Sequence, residues 1–213
     1  MNATISSPAA AALAWCHGAR FLVTASTLEQ LPGDELPEIA FVGRSNAGKS
    51  SAINALAQHK RLAFSSRTPG RTQHINLFAV GPKDAPDALF ADLPGYGYAA
   101  VDRGSKLRWQ AVMAEYLAVR RPLHGVVLMV DSRLGITELD QRLLELIAPR
   151  VRNGEVRLLV LLTKSDKLSR REAQAALVAA QAQLESVASE ESDIGLTLFS
   201  VLKQVGVADA ALV

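Results

Sequence analysis

The stretch Gly43-Arg44-Ser45-Asn46-Ala47-Gly48-Lys49-Ser50 constrains this chain more than any other. It fits G-x-x-x-x-G-K-[ST], a glycine-rich turn whose backbone N–H groups wrap a phosphate chain. The apolar run Ile39-Ala40-Phe41-Val42 before it reads as a buried strand, and Ser51-Ala52-Ile53-Asn54-Ala55-Leu56 after it reads as a helix. Strand, loop and helix in that order aim the positive end of the helix at an anion. Lys49 then reaches the β- and γ-phosphates, and the Ser50 hydroxyl takes a magnesium ion. A chance Gly-rich turn has no need of both flanking periodicities. The chain reads as a nucleotide-binding protein.

Further elements alternate along the sequence. His74–Val80 and Ala88–Ala91, joined through Gly81-Pro82 and Pro86-Asp87, are close enough to pair as an antiparallel hairpin. Trp109, Val112, Met113, Tyr116 and Leu117 mark one face of a helix that stops before Pro122. Val126–Val130 is a continuous apolar strand that ends at Asp131. Thr137 with Asp140, and Ser169 with Glu172, have the spacing of capping boxes that open two more helices. Val156–Leu162 and Ile194–Phe199 read as strands, and Ser200-Val201-Leu202-Lys203 as the start of a short terminal helix. Strands alternating with helices predict an α/β fold with a mostly parallel sheet, one antiparallel hairpin strand and helices on both faces. Residues 35–213 form one such domain in this reading. Residues 1–34 form an N-terminal extension, with Phe21–Thr24 as a short edge strand.

Ligands of open α/β sheets sit beyond the carboxyl ends of the strands. Asp92-Leu93-Pro94-Gly95 falls there: a carboxylate to hold Mg²⁺ through water, and a glycine able to turn its N–H to a γ-phosphate. Alone, D-x-x-G also describes an ordinary strand-ending turn; downstream of a phosphate loop it carries weight. Thr163-Lys164-Ser165-Asp166 then selects the base. Guanine offers N1–H and N2–H₂ as two adjacent donors that one carboxylate accepts together, and adenine lacks that pair. Asp166 fits that role, with the Lys164 stem lying over the base plane. A small-molecule P-loop kinase or ATPase is the alternative, and T-K-S-D argues against it.

The set G-R-S-N-A-G-K-S, T-P-G-R-T-Q, D-L-P-G-Y-G-Y, T-K-S-D and F-S-V-L-K resembles the EngB (YihA/YsxC) GTPases of bacteria, in the class that also holds Era and TrmE. The likeness runs from about Phe21 to the C-terminus. It implies a P-loop GTPase domain that binds GTP and GDP with Mg²⁺. The implied first switch is Gly70-Arg71-Thr72-Gln73, followed by His74, with Thr72 as a magnesium ligand beside Ser50 and Asp92. The second switch starts at Asp92–Gly95, and the last base loop is Phe199-Ser200-Val201. Lys49, Thr72, Gly95 and Asn46 are the implied catalytic set. Asn46 stands where several relatives carry a K⁺ ligand; an asparagine that only stabilises the loop is the other reading. The resemblance further implies a role in assembly of the large ribosomal subunit, through its RNA and proteins, and a link to normal cell division and septation. The Ala-rich start has no counterpart, and Val201 replaces the more usual Ser or Ala.

Tyr96 follows D-x-x-G where Ras-like proteins place a water-orienting glutamine, so intrinsic hydrolysis is expected to be slow, on the order of 10⁻⁴ s⁻¹ or below. Residues 60–108 carry eight cations against four acids, whereas residues 134–195 carry eight against ten. The cations thus gather beside the switches, as an RNA-reading surface or as a plain solvated one. The net charge of only +2 permits a polyanionic partner without demanding it. One cysteine excludes an internal disulfide framework, and the four histidines lack metal-ligand spacing. No apolar run approaches a membrane span, and Met1–Ala14 lacks the basic opening of a signal peptide. The expectation is a cytoplasmic monomer with no membrane or DNA partner.

Overall fold

β-Branched and leucine-rich runs too apolar for solvent make the centre of the structure. The computed structural model describes residues 7–33, 36–63, 74–97 and 103–212, with the side chains of 103–110 left out. In chain order the elements are α1 (Pro8–His17), β1 (Arg20–Ala25), β2 (Glu38–Gly43), α2 (Lys49–Leu56), β3 (Ile75–Val80) and β4 (Ala88–Asp92). They continue with α3 (Arg103–Val119), β5 (Leu123–Asp131), α4 (Glu138–Arg152), β6 (Arg157–Thr163), α5 (Arg170–Leu184), β7 (Ile194–Leu198) and α6 (Val207–Leu212). The seven strands lie in the order β1-β3-β4-β2-β5-β6-β7. β3 alone runs against the rest, antiparallel to both β1 and β4. The mostly parallel sheet and its hairpin strand are therefore as the sequence predicts.

Strand alternation sorts the core into two layers. Val126, Leu128 and Val130 of β5 and Leu158, Val160 and Leu162 of β6 face α3, α4 and α5. Val127 and Met129, with Leu159 and Leu161, face α1, α2 and α6. Both sides are covered, so these strands have no polar face to show. Each such Leu or Val contributes roughly 1.5–3 kcal/mol by leaving water.

Two polar fastenings hold the end of the sheet away from the phosphate loop. Glu38, fully buried at the start of β2, accepts from the Tyr116 hydroxyl and from Arg120 Nη2 at 2.6 Å. Arg120 Nη2 also donates to the Pro32 carbonyl. Arg150 donates to the carbonyls of Leu117 and Leu123, tying α4 to the turn between α3 and β5.

The capping boxes form as spaced: Thr137 N donates to Asp140 Oδ2 at 2.8 Å, and Ser169 N to Glu172 Oε2 at 2.7 Å. The terminal helix does not begin at Ser200. Ser200 and Val205 exchange backbone hydrogen bonds, at 2.9 and 3.1 Å, and close a tight turn instead. Gln204 and Gly206 both take positive φ there, so the helix starts only at Val207. Near the other terminus, α1 opens at Pro8 behind the Ser7 cap, and Trp15 Nε1 donates to Asp87 at 2.7 Å. Among the described residues, no helix is long and apolar enough to cross a membrane.

Candidate functional site

β2 delivers the chain to the carboxyl edge of the sheet at Gly43. Its φ of 148° and the 2.6 Å approach of a would-be Cβ to the Met129 carbonyl leave room only for glycine. Asn46 takes φ 65°, and Gly48 at φ 105° is the N-cap of α2. Lys49, nearly buried, donates from Nζ to the carbonyls of Gly43 at 3.2 Å and Arg44 at 3.5 Å. Its ammonium is thus held across the mouth of the loop.

β4 brings Asp92 alongside. Ser50 Oγ donates to Asp92 Oδ2 at 3.1 Å, while Asp92 Oδ1 is buried with no hydrogen-bond partner. Burial pushes the Asp92 carboxyl up, against the pull of Lys49 and Ser50. Burial likewise pushes Lys49 down, against Asp92. A buried oxygen with no partner is costly, and a hard cation beside Ser50 and Asp92 would satisfy it. The donor set fits magnesium. Leu93 and Pro94 are buried behind Asp92, and Gly95 packs on the loop: a Cβ there would meet Lys49 Nζ at 2.9 Å and Ser45 Cα at 3.0 Å.

The next residue seals that contact. Ser45 N donates to the Tyr96 carbonyl at 2.8 Å, and Tyr96 N donates to the Gly43 carbonyl. The Tyr96 ring is buried, and its hydroxyl donates to Asp140 Oδ1 at 2.5 Å. A phenol so engaged is not aimed at a phosphate.

β6 ends at Thr163, whose Oγ1 donates to the Ala47 carbonyl at 2.8 Å and so ties the base loop to the phosphate loop. Lys164 takes a left-handed φ of 57° and turns the chain into a 3-10 turn, Ser165–Lys167. Ser165 N donates to the Phe199 carbonyl. Ser200 Oγ donates to Asp166 Oδ1 at 2.6 Å, and that bond first of all holds the Asp166 carboxyl below its usual range. Phe199 is buried beneath, and Val201 is half-buried beside it.

One edge of the sheet therefore gathers Gly43–Ser50, Asp92–Gly95, Thr163–Asp166 and Phe199–Val201. His74 stands apart: its Nδ1 pairs with Ser26 Oγ at 2.9 Å, at the β1–β3 side. Gly70, Arg71, Thr72 and Gln73 lie outside the described residues, as do Arg67 and the side chains of Arg103, Lys106 and Arg108.

The profile of the family described as 50S ribosome-binding GTPase matches residues 38–164. The Probable GTP-binding protein EngB of Acidovorax ebreus (strain TPSY) is 55% identical over 200 residues, 93% of this chain and 88% of that protein. Its counterpart in Albidiferax ferrireducens (strain ATCC BAA-621 / DSM 15236 / T118) is 54% identical over 201 residues, 94% and 93% of the two chains. The chain belongs to the EngB family of GTP-binding proteins. As an EngB-family member it is a GTPase.

Solved structures agree on the fold. A crystal structure of a probable GTP-binding protein EngB superposes with a TM-score of 0.59 at 17% identity, covering 81% of this chain and 94% of that one. Era, crystallised with MgGDPNP and nucleotides 1506–1542 of 16S ribosomal RNA, superposes at 0.63 and 19% identity, over 84% of this chain and 55% of Era. Two carboxylates beside the EngB motifs gave little warning in the sequence: Asp131, visible only as the end of a strand, and Asp140, visible only as a helix cap.

Proposed function

We propose that this edge binds GTP and GDP with Mg²⁺, hydrolyses GTP slowly, and uses the nucleotide state as a switch in assembly of the large ribosomal subunit. The observation that carries the nucleotide part is the convergence of Lys49, Ser50 and Asp92 with Asp166 and Ser200. The first three suit a metal-bound polyphosphate, and Ser200 presents the Asp166 carboxylate for the two donors of guanine. Residues 43–50, 70–73, 92–95, 163–166 and 199–201 are the nucleotide residues in this reading, with Ser50, Thr72 and Asp92 toward magnesium; His74, paired with Ser26, is not among them. Residues 35–213 make the GTPase domain and residues 1–34 its extension. When bound, magnesium would neutralise charge on the phosphates; the chain's own contribution is to hold Lys49 and Gly95 against them. Asn46 is proposed to favour K⁺ beside the phosphates, which equal hydrolysis rates in K⁺ and Na⁺ would refute.

The ribosomal part is supported by the family's description. We assign it a cytoplasmic setting, monomeric state and a family-level link to cell division and septation. The basic segment around the switches is proposed to contact ribosomal RNA, so each lost phosphate contact lowers the salt slope of binding by a little under one unit.

Co-sedimentation with ribosomal subunits in GTP and GDP, across a salt series, tests the switch. Binding indifferent to both nucleotide and salt refutes it. Titration with GTP and ATP tests the base: Asp166→Asn is expected to weaken GTP by roughly ten- to two-hundredfold and to gain xanthosine triphosphate. Tighter binding of ATP than GTP returns the small-molecule kinase or ATPase reading.

A further inference from the structure

The Lys164 ammonium is paired with a carboxylate of the neighbouring strand. It donates to Asp131 Oδ2 at 2.9 Å, across the end of the neighbouring strand. The register that pairs Asp131 with Thr163 sets this up, because it leaves Lys164 one residue beyond its partner strand's last carboxylate. Lys164 enters at φ 57°, directly before the turn that carries Asp166. Together with Asp131 it lines a cavity of about 200 Å³ that Arg44, Ser45, Asn46 and Ala47 of the phosphate loop also line. Its aliphatic stem therefore runs from the base loop to β5, with one of the three ammonium donors engaged by Asp131.

Asp131 is itself fully engaged. Its Oδ1 accepts from Arg133 N at 3.1 Å and Arg133 Nε at 2.9 Å, and its Oδ2 from Arg133 Nη2 at 2.7 Å as well as from Lys164. The four acceptor positions of a carboxylate are filled. Its side chain is 9% exposed, against 50% for Arg133, so the fork lies over it from the solvent side. Burial by itself would raise the Asp131 carboxyl, and the Arg133 and Lys164 donors overcome that and hold it well below the usual range. The anchor stays charged wherever the protein is folded near neutrality.

We propose that Asp131 is a positioning residue of the base site: by holding the Lys164 head it fixes the Lys164 stem as a rigid apolar face against the purine plane. The inference rests on the guanine-site reading above and extends it to a residue outside the sequence motifs. Lys164 acts through its methylenes and not through its charge. A pinned stem has little rotamer entropy left to lose when a base arrives. Its contact is with the ring face, so it is blind to the groups on the purine edge that Asp166 reads.

The test is a double-mutant cycle of Asp131→Ala and Lys164→Ala, read as affinity for GDP and for inosine diphosphate, which lacks the N2 amine. Asp131→Ala is expected to weaken both by roughly five- to thirtyfold, by the same factor within about twofold. In the Lys164→Ala background it should add less than about twofold, since both changes remove one interaction. Asp131→Asn keeps one acceptor for Lys164 and should lose less; if the Ala variant does not fold, the Asn variant decides in the same cycle. Wild-type affinity in a folded Asp131 variant, multiplying effects of the two changes, or a shifted GDP-to-inosine-diphosphate ratio each overturns the proposal. Asp166→Asn serves as the control for the parent reading. If that variant leaves base preference unaltered, the guanine site itself is misplaced; if it alters preference while Asp131→Ala stays silent, only the positioning role fails.

Discussion

Replacing Tyr96 by Phe removes one hydroxyl and asks what the residue after D-x-x-G is for. In the structure that hydroxyl donates to Asp140 Oδ1, in a pair that is 8% exposed on the tyrosine side and 1% on the aspartate side. Burial, then the charge and hydrogen bond of Asp140, push the phenol far above its ordinary value, so it stays a donor throughout the neutral range. A buried hydrogen bond to a charged group contributes about 1.5–3 kcal/mol. Asp140 keeps Thr137 N and Oγ1 on its other oxygen, so it is not left bare, and about 2 kcal/mol is the expected loss. For a chain of this length each kcal/mol moves Tm by about 2–4 °C, giving a drop of about 4–8 °C in Tyr96→Phe by calorimetry. Asp140→Ala loses the same bond and a helix cap, about 1 kcal/mol more. The double variant should be no less stable than Asp140→Ala alone. Single-turnover GTP hydrolysis by Tyr96→Phe should stay within about twofold of wild type, because the phenol hydroxyl is committed to Asp140. An unchanged Tm, additive losses in the double variant, or a tenfold fall in hydrolysis would each refute the reasoning.

Arg120→Ala strands the Glu38 carboxylate with Tyr116 as its side-chain donor, at a cost of about 3–5 kcal/mol, and Glu38→Gln in the same chain should restore part of it; denaturant unfolding of both reads this. Gly95→Ala drives a methyl against Lys49 Nζ and the Ser45 backbone. It should cut GTP hydrolysis about tenfold or more and change GDP affinity less than about threefold, which stopped-flow binding beside a phosphate-release assay checks. Asp131 has a depressed carboxyl in the fold, facing Arg133 and Lys164. Its contribution is full above the unfolded value of about 3.9 and is lost as pH falls through the lower folded value. The stability difference between wild type and Asp131→Asn should hold level from pH 7 to about 5 and shrink only below about 4; a difference that fades near neutrality contradicts the assignment.

The sequence by itself determined whatever depends on neighbours along the chain. Gly43 and Gly48 carry the turn, Thr137/Asp140 and Ser169/Glu172 cap their helices over three residues, and the unbroken apolar runs of β5 and β6 announce strands covered on both faces. The order of G-x-x-x-x-G-K-S, D-x-x-G and T-K-S-D was enough to expect these motifs together at one edge of the sheet, where the structure brings them. The start of α6 escaped this reading because its boundary is a closure between Ser200 and Val205, and Ser-Val-Leu-Lys has nothing that forbids a helix. Only the tertiary structure decided the polar pairings. Glu38 with Tyr116 and Arg120 lie 78 and 82 residues apart, Tyr96 and Asp140 44 apart, and Asp131 and Lys164 33 apart. None of these distances follows from a local spacing. Strand order and register bring the partners together, and burial then makes each pairing obligatory, since a carboxylate taken out of water must find its donors inside the fold.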